Sequence, residues 1–487
     1  MRSEWTALKE LTHRQSVQSL LGEMLDERLN KKLEELPTKG LDAVSSRNIS
    51  DRIAEAANHL SGGADSSARA VAVYCPARIE VVGKHTDYAG GSSLTCASQR
   101  SFCMVATNSR EPGLRLEDLV SGTSALIPFE DDPGDPGPLW TAYPRTVLKR
   151  YCANFGVPQT GISLVFSSDI PRASGMSSSS AFVIGTWICI AALSEVTQFD
   201  SFQQNIQTGA DLAAYMACVE NGFAFKDLRG DAGVGTMGGA QDHAAILFSE
   251  PRTLGLFQYR PLRRLETVSL PTDLTFVIAS SGMRAQKTTG AKGDYNSVVR
   301  LAAQSVDIWS KAMGEKRATL RDVVTSCDFS LDAFESCVNK KESDVDIRYA
   351  LLNRVRQFIE ETQIVIPGVI ESLQTGDYES LQRHVFRSQQ MADEWLGNQV
   401  TETRHLVDAA RDNGALASSA FGAGFGGSVW ALVPSKDSLR FLEQWFAAYG
   451  RSFQHRLRKA YFFQEKTGPG AFVLGADVER LLFKSNF

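Results

Sequence analysis

Hydrophobic and polar positions alternate along this chain with two different periods, and the changes between them mark its elements. From Leu8 to Leu36, leucines and Met24 recur at helical spacing among many charges. This predicts an amphipathic helix or helix pair, stopped by Pro37 and Gly40, which either docks on its own domain or serves as a dimer contact. A second helix is predicted over 48–60, ending at Gly62-Gly63. Residues Ala70–Tyr74, Ile79–Val82 and Leu94–Thr107 read as strands. A strand pair within 111–138 ends in the loop DDPGDPGP, and a helix opens at Trp140-Thr-Ala-Tyr143 and runs to about Tyr151. Gly161–Phe166 is a strand, and 181–193 is apolar throughout, long enough for a buried helix. A helix over 204–221 precedes a Gly-rich loop, 223–238. Leu274–Ala279 is a strand, and 280–296 is a polar loop carrying Lys287, Lys292, Asp294 and Tyr295. Helices follow around 296–314, 346–363, 378–392 and 401–413. The segment 420–433 is a Gly-rich turn leading into a strand. A helix over 436–458 and a closing strand within 460–485, then a short helix, complete the chain.

At 487 residues the chain has material for two or three domains. Its 43% apolar and 22% charged residues are those of a globular protein. A net charge of −5 gives no basic face for nucleic acid. Eight cysteines form neither a CxxC pair nor a disulfide framework, which points to a reducing cytoplasm. The polar N-terminus lacks the apolar core of a signal peptide. The most apolar run, 181–193, is too short for a bilayer and carries Gly185.

Four stretches carry candidate chemistry. PRASGMSSSSAF, 171–182, sets Pro171, Gly175 and four consecutive serines between a strand and an apolar helix. Backbone N–H groups at such a helix start face outward at the positive end of its dipole, an arrangement suited to a polyphosphate. Ser177 to Ser180 add hydroxyls for phosphate oxygens or magnesium. Read alone, the stretch is equally a serine-capped helix after an ordinary turn. CPARIEVVGKHTDYAGG, 75–91, gathers Arg78, Lys84, His85, Asp87 and Tyr88, either a polyhydroxy-ligand turn or a polar turn with a structural ion pair. In MGGAQDH, 237–243, Asp242 follows two glycines and either approaches a substrate or caps a helix. GAGFGG, 422–427, precedes a strand rather than a helix, so it does not fit the dinucleotide fingerprint. No GxxxxGK[ST] loop occurs.

Taken together and in this order, CPARIEVVGKHTDYAGG, PRASGMSSSSA and GAGFGGSVWALV resemble the GHMP small-molecule kinases. The first is most similar to the galactokinase signature, usually PGRVNLIGEHTDYNGG. The resemblance runs from Ala70 to Leu474 and includes WTAY at 140–143, Glu220, DYN at 294–296 and TGPGA near the end. It implies an α+β fold of two domains with mixed sheets and helices. The expected segments are an N-terminal helical extension over 1–69, an ATP-binding domain over 70–250 and a second domain over 251–487, whose last strand returns to the first. It implies that Gly175, Ser177, Ser178 and Ser179 cradle the phosphates of ATP. Ser179 and Glu220 would hold Mg²⁺. Asp242 would be the catalytic aspartate, with Arg78 beside it. His85, Asp87, Gly239 and Tyr295 match sugar-contacting positions, Trp140 an aromatic near the nucleotide, and Gly424 and Gly426 lie in the turn that closes the cleft.

The implied activity is an ATP-dependent sugar 1-kinase acting on a free galactose-type monosaccharide. No nucleic-acid or membrane partner is expected, and the protein would be a cytoplasmic monomer or homodimer. Two departures bear on the substrate. Lys84 stands where galactokinases usually carry a glutamate, and an ammonium cannot accept a hydrogen bond. It would contact the sugar by donating to a hydroxyl or pairing with a uronic acid, or else point to solvent. The stretch 223–238 exceeds the usual spacing, as a lid or as part of the sugar pocket. Other substrates of the same scaffold are L-arabinose or an N-acetylated sugar, and a different class is a non-catalytic sensor binding ATP and sugar.

Overall fold

The computed structural model describes residues 29, 31–61, 70–130, 138–171, 174–283, 291–474 and 476–477. Residues 4–28 and 30 of the predicted amphipathic stretch, the Gly62-Gly63 stop, most of the 131–138 loop, Lys287 and the short terminal helix lie outside the described residues.

The strands of the first half are β1 (Ala70–Val82), β2 (Ser92–Ser109), β3 (Leu114–Asp118), β4 (Thr123–Ile127), β5 (Gly161–Ser168), β6 (Thr253–Gln258) and β7 (Arg263–Ser269). Those of the second half are β8 (Leu274–Ser280), β9 (Ala417–Phe421), β10 (Ser428–Pro434), β11 (Tyr461–Glu465), β12 (Thr467–Gly468), β13 (Phe472–Val473) and β14 (Ala476–Asp477). Among the described residues they form a ten-stranded sheet around β14-β13-β1-β2-β5-β3-β4 and a four-stranded sheet β11-β8-β10-β9. The helices used below are α1 (Ala43–Ser61), α2 (Ala142–Phe155), α3 (Ser178–Leu193), α4 (Gly209–Asn221), α5 (Gln241–Phe248) and α6 (Ala291–Met313). They continue with α7 (Val345–Glu360), α8 (Ile366–Thr375), α9 (Tyr378–Glu394), α10 (Thr401–Asp412) and α11 (Ser438–Ser452).

β1 is apolar almost throughout because both of its faces are covered. Its Val71, Val73 and Cys75 pack with α2 and α3, while Ala72 and Tyr74 pack with Ile49 and Ile53 of α1 and with Leu33 and Leu36. Opposite faces therefore take alternate residues, and the described end of the N-terminal extension docks on its own sheet. Irregular register on either side of Arg78–Glu80 turns that segment toward the middle of the molecule, as bulges commonly do. The four-stranded sheet packs on α10 and α11 through Leu406, Val407, Phe441 and Trp445. A third cluster joins α6 and α7 to Tyr88 and Ala89, so the β1–β2 turn is embedded in the helical part of the second half.

Several boundaries differ from the sequence expectation. The first sheet does not end at 250: β6 and β7 extend it, with β6 paired to β2. β7 is exposed except at Val268, and so offers no apolar alternation to read. The expected helix over 204–221 is divided, because Thr208 and Asp211 form a capping box that starts α4 afresh. Tyr295 belongs to α6 rather than to a loop. A π-helical turn, Glu361–Val365, carries α7 on into α8.

Candidate active site

A cavity of about 570 Å³ opens between the two halves, lined from one side by β1, the start of α3, α4 and α5, and from the other by Tyr295 and the 421–426 turn. Arg78, His85, Asp87, Trp140, Gly175, Ser177, Ser178, Ser179, Glu220, Gly239, Asp242, Tyr295, Gly424 and Gly426 all line it. Residues more than 300 positions apart thus share one space.

Its centre is the Asp242 carboxylate, in the first turn of α5 but not its N-cap, which is Ala240. Arg78 Nε donates to Asp242 Oδ1 at 2.8 Å, and Arg78 Nη1 donates to the Gly175 carbonyl at 2.7 Å. The guanidinium therefore clamps the acid to the small-residue turn. Ser177 Oγ donates to Asp242 Oδ2. Ser177 occupies the N-cap position of α3 with φ 57° and makes no side-chain cap, so the serine-capped helix is not what forms. The hydroxyl faces the acid, and the first N–H groups of α3 receive no capping side chain from it. Left-handed backbone at a residue other than glycine is costly and gathers at functional sites. Three of the seven described examples, His85, Ser177 and Phe425, lie in or beside this cavity.

Glu220, at the end of α4, is 7% exposed. Its Oε2 accepts from Ser180 Oγ at 2.7 Å and lies 3.2 Å from His243 Nε2. Among the described residues no group of three or more His, Cys, Asp or Glu is placed to hold a metal ion. Trp140 packs edge-on against Phe166 and lines the cavity above the serines.

At the opposite end, Asp87 Oδ2 accepts the Gln241 N–H at 3.2 Å. Burial is the main force raising the Asp87 carboxyl, with Asp242 and Glu80 adding to it. Gly239 packs directly on this carboxylate: a Cβ there would sit 2.5 Å from Asp87 Oδ2. The Tyr295 ring lies 5.5 Å from that of His85. Burial and the charge of Arg354 hold the His85 imidazole down at about 3, so it is neutral at physiological pH.

Lys84 is a correction. Expected as a sugar contact, it is 2% exposed and does not line the cavity. Its ammonium donates to the Ala420 carbonyl and lies 3.7 Å from Glu80 Oε1. Burial lowers its pKa, opposed by Glu80 and Glu361. The side chain runs beneath β9 because the turn after Gly83 points it into the domain junction, where Glu361 accepts both the Gly83 and Lys84 N–H groups at 2.6 and 3.1 Å.

Other lining residues escaped sequence reasoning: Glu80, Tyr143, Gln241 and His243. Glu80 was accessible to it, since Arg78 and Glu80 are two apart on one strand and share a face. Its Oε2 accepts from Gln241 Nε2. The 223–238 loop neither floats free nor caps the cavity. Val234 N donates to the Glu220 carbonyl at 2.8 Å, and Met237 N to Asn296 Oδ1 at 3.1 Å, so it ties α4 to α6 and contributes Thr236 and Gly238 to the wall.

Three family descriptions match the chain: the galactokinase galactose-binding signature over residues 64–108, the GHMP kinases N terminal domain over 142–250, and the GHMP kinases C terminal over 369–451. A galactokinase of Chloroflexus aggregans is 25% identical over 384 residues, covering 78% of this chain and 89% of that protein. One from Dictyostelium discoideum is 23% identical over 430 residues, covering 76% and 82%. In fold, the chain is similar to the crystal structure of Lactococcus lactis galactokinase complexed with galactose, with TM-score 0.66, 20% identity and coverage of 83% and 95%. The Methanococcus jannaschii mevalonate kinase gives TM-score 0.51 at 14% identity, with coverage of 82% and 98%. With signature, N-terminal and C-terminal domains matched in order along one chain, the protein belongs to the GHMP kinases, in their galactokinase-like branch.

Proposed function

We propose that this protein transfers the γ-phosphoryl group of ATP to the anomeric C1 hydroxyl of galactose or a closely related monosaccharide, giving the sugar 1-phosphate and ADP. The observation that carries this reading is the Asp242 carboxylate, held by Arg78 and Ser177 between the serine turn and the Asp87–Tyr295 end of one cavity. The triphosphate lies over the start of α3, where backbone N–H groups, Ser178 and Ser179 meet its oxygens. The sugar lies between Asp87, Gly239 and Tyr295. Asp242 accepts the C1 hydroxyl proton as that oxygen bonds the γ-phosphorus, and the bond to the β-phosphate oxygen breaks to release ADP. Arg78 neutralises charge on the transferring group and keeps Asp242 ionised.

The donors near Glu220 suit magnesium, which takes one or two carboxylate oxygens and fills its other positions with phosphate and water. Glu220 and Ser179 would hold it. Bound there, it would neutralise phosphate charge.

The sugar end favours a neutral substrate. Glu80, Asp87 and Asp242 line it, the Arg78 cation is engaged with Asp242, and Lys84 is turned away. A uronic acid would meet carboxylates. The eight cysteines are all free thiols, in keeping with a reducing compartment, and no helix among the described residues is long and apolar enough to cross a membrane. We place the protein in the cytoplasm.

An ADP-release screen over free monosaccharides and uronic acids tests the reading. Galactose or a neutral relative should be turned over. Asp242→Asn should lose about 10²-fold or more in kcat while retaining ATP binding by calorimetry. Normal turnover in that variant would remove Asp242 as the base.

A further inference from the structure

Behind the sugar end of the cavity runs a file of buried amides whose polarity is set at one end by the backbone. The Ala420 N–H donates to Gln389 Oε1 at 3.0 Å. A backbone N–H can only donate, so the Gln389 amide has one permitted orientation. Gln389 Nε2 donates to Gln399 Oε1 at 3.1 Å, and Gln399 Nε2 to Asn398 Oδ1 at 2.8 Å. Asn398 Nδ2 is thereby left facing His85 Nε2 at 3.0 Å. Gln389, Gln399, Asn398 and His85 are 5, 8, 1 and 5% exposed, so water does not compete for these bonds.

This polarity selects a tautomer. His85 Nε2 lies near both Asn398 Nδ2 and the Ala423 carbonyl, the latter at 3.2 Å, and that atom alone does not decide which it bonds. With Asn398 Nδ2 fixed as a donor, Nε2 must accept. The proton then sits on Nδ1, which faces Tyr88 Oη at 3.0 Å and donates to it. The Arg354 guanidinium lies 5.7 Å from the centroid of the same ring, and its hydrogen bonds go elsewhere, to the His85 carbonyl and Gln357 Oε1. Tyr88 Oη thus accepts from His85, while its own hydrogen is assigned no acceptor among the described residues. Tyr88 lines the cavity.

We infer that Tyr88 is a specificity-determining hydrogen-bond donor to an oxygen of the sugar, and that Asn398, Gln399 and Gln389 are positioning residues that enforce this polarity through the Nδ1–H tautomer of His85. His85 then acts through Tyr88, both of its ring nitrogens being engaged by the protein. The identity of the ligand rests on the sugar-kinase reading, whereas the tautomer is a property of the protein alone.

The test starts with sugar-free, ¹⁵N-labelled full-length protein at pH 7. A long-range ¹H–¹⁵N correlation, with His85 assigned by its loss in His85→Gln, should show protonated Nδ1. Protonated Nε2 would overturn the relay. Asn398→Asp substitutes an acceptor for the donor and should switch His85 to the Nε2–H form, and an unchanged tautomer would equally overturn it. Tyr88→Phe should raise KM for galactose about threefold to tenfold, with kcat and the KM for ATP nearly unchanged. Across mono-deoxy galactoses, one position should lose its penalty in Tyr88→Phe. If every analogue keeps its wild-type penalty, Tyr88 is not the donor. If no sugar is turned over by the wild type, the kinase reading fails, and the tautomer measurement still decides the relay.

Discussion

At Gly239 a missing side chain decides where a carboxylate sits. A Cβ there would meet Asp87 Oδ2, which in turn holds the Gln241 N–H next to Asp242. Gly239→Ala must push Asp87 aside, and a displacement near 1 Å in a positioning group costs up to about 10²-fold. The expected result in steady-state kinetics is a raised KM for sugar with ATP affinity intact. His85 supplies a pH dependence. Its folded pKa of about 3 lies below the ordinary 6.5, so between those values the unfolded chain binds more protons and stability rises with pH. Acid titration of the unfolding midpoint should therefore show a loss between about pH 6.5 and 3 that His85→Gln lacks. About half of the cavity-lining residues were legible because short motifs put unusual residue types at fixed offsets, as Arg78, Ser177 and Asp242 do. Lys84 was not, because a sequence gives a residue's type but not the direction a turn sends it. Asn398 was not, because its role depends on a neighbour 313 positions away.

The 223–238 loop makes the same point for an element. From the sequence it was either a lid or a pocket wall, since glycine-rich composition does not reveal anchorage. In the fold it is anchored by Arg150, 1% exposed, which pairs with Asp231 at 3.2 Å and also donates to the Phe223 carbonyl. Arg150→Met should cost about 1.5–3 kcal/mol, the value of hydrogen bonds to a charged group, measured by urea unfolding. Because Val234 also holds the Glu220 backbone, the variant should lose kcat beyond what its stability explains. α3 was read within a few residues of its limits, its apolar character leaving no other burial pattern. β7 was missed, since a strand exposed at all but Val268 leaves almost no hydrophobic trace, and β6 was missed although its middle residues are buried, because so short an apolar run shows no period.

Over the whole molecule, the two sheets meet at Glu465. Its Oε1 accepts Gln99 N from the first sheet at 3.0 Å, while Arg100 stands 3.6 Å from its other oxygen. Burial pushes this carboxyl up to about 7 from 4.5. Between those values the folded protein binds more protons than the unfolded chain, so this group lowers stability as pH rises, its penalty complete above pH 7. Glu465→Gln should flatten that part of the thermal-midpoint profile. The same junction begins the return of the chain, as β12 pairs with β2, and Val473 and Phe472 of β13 pair with Val73 and Tyr74. The Phe472 ring stacks on Tyr74 at 4.8 Å. During synthesis β1 thus waits nearly four hundred residues for its partner. A nascent chain stalled on the ribosome before Thr467 would hold Tyr74 exposed where Phe472 belongs, and arrest-peptide or pulse-proteolysis experiments should find that the first half gains its full protection only after the last strands have left the exit tunnel.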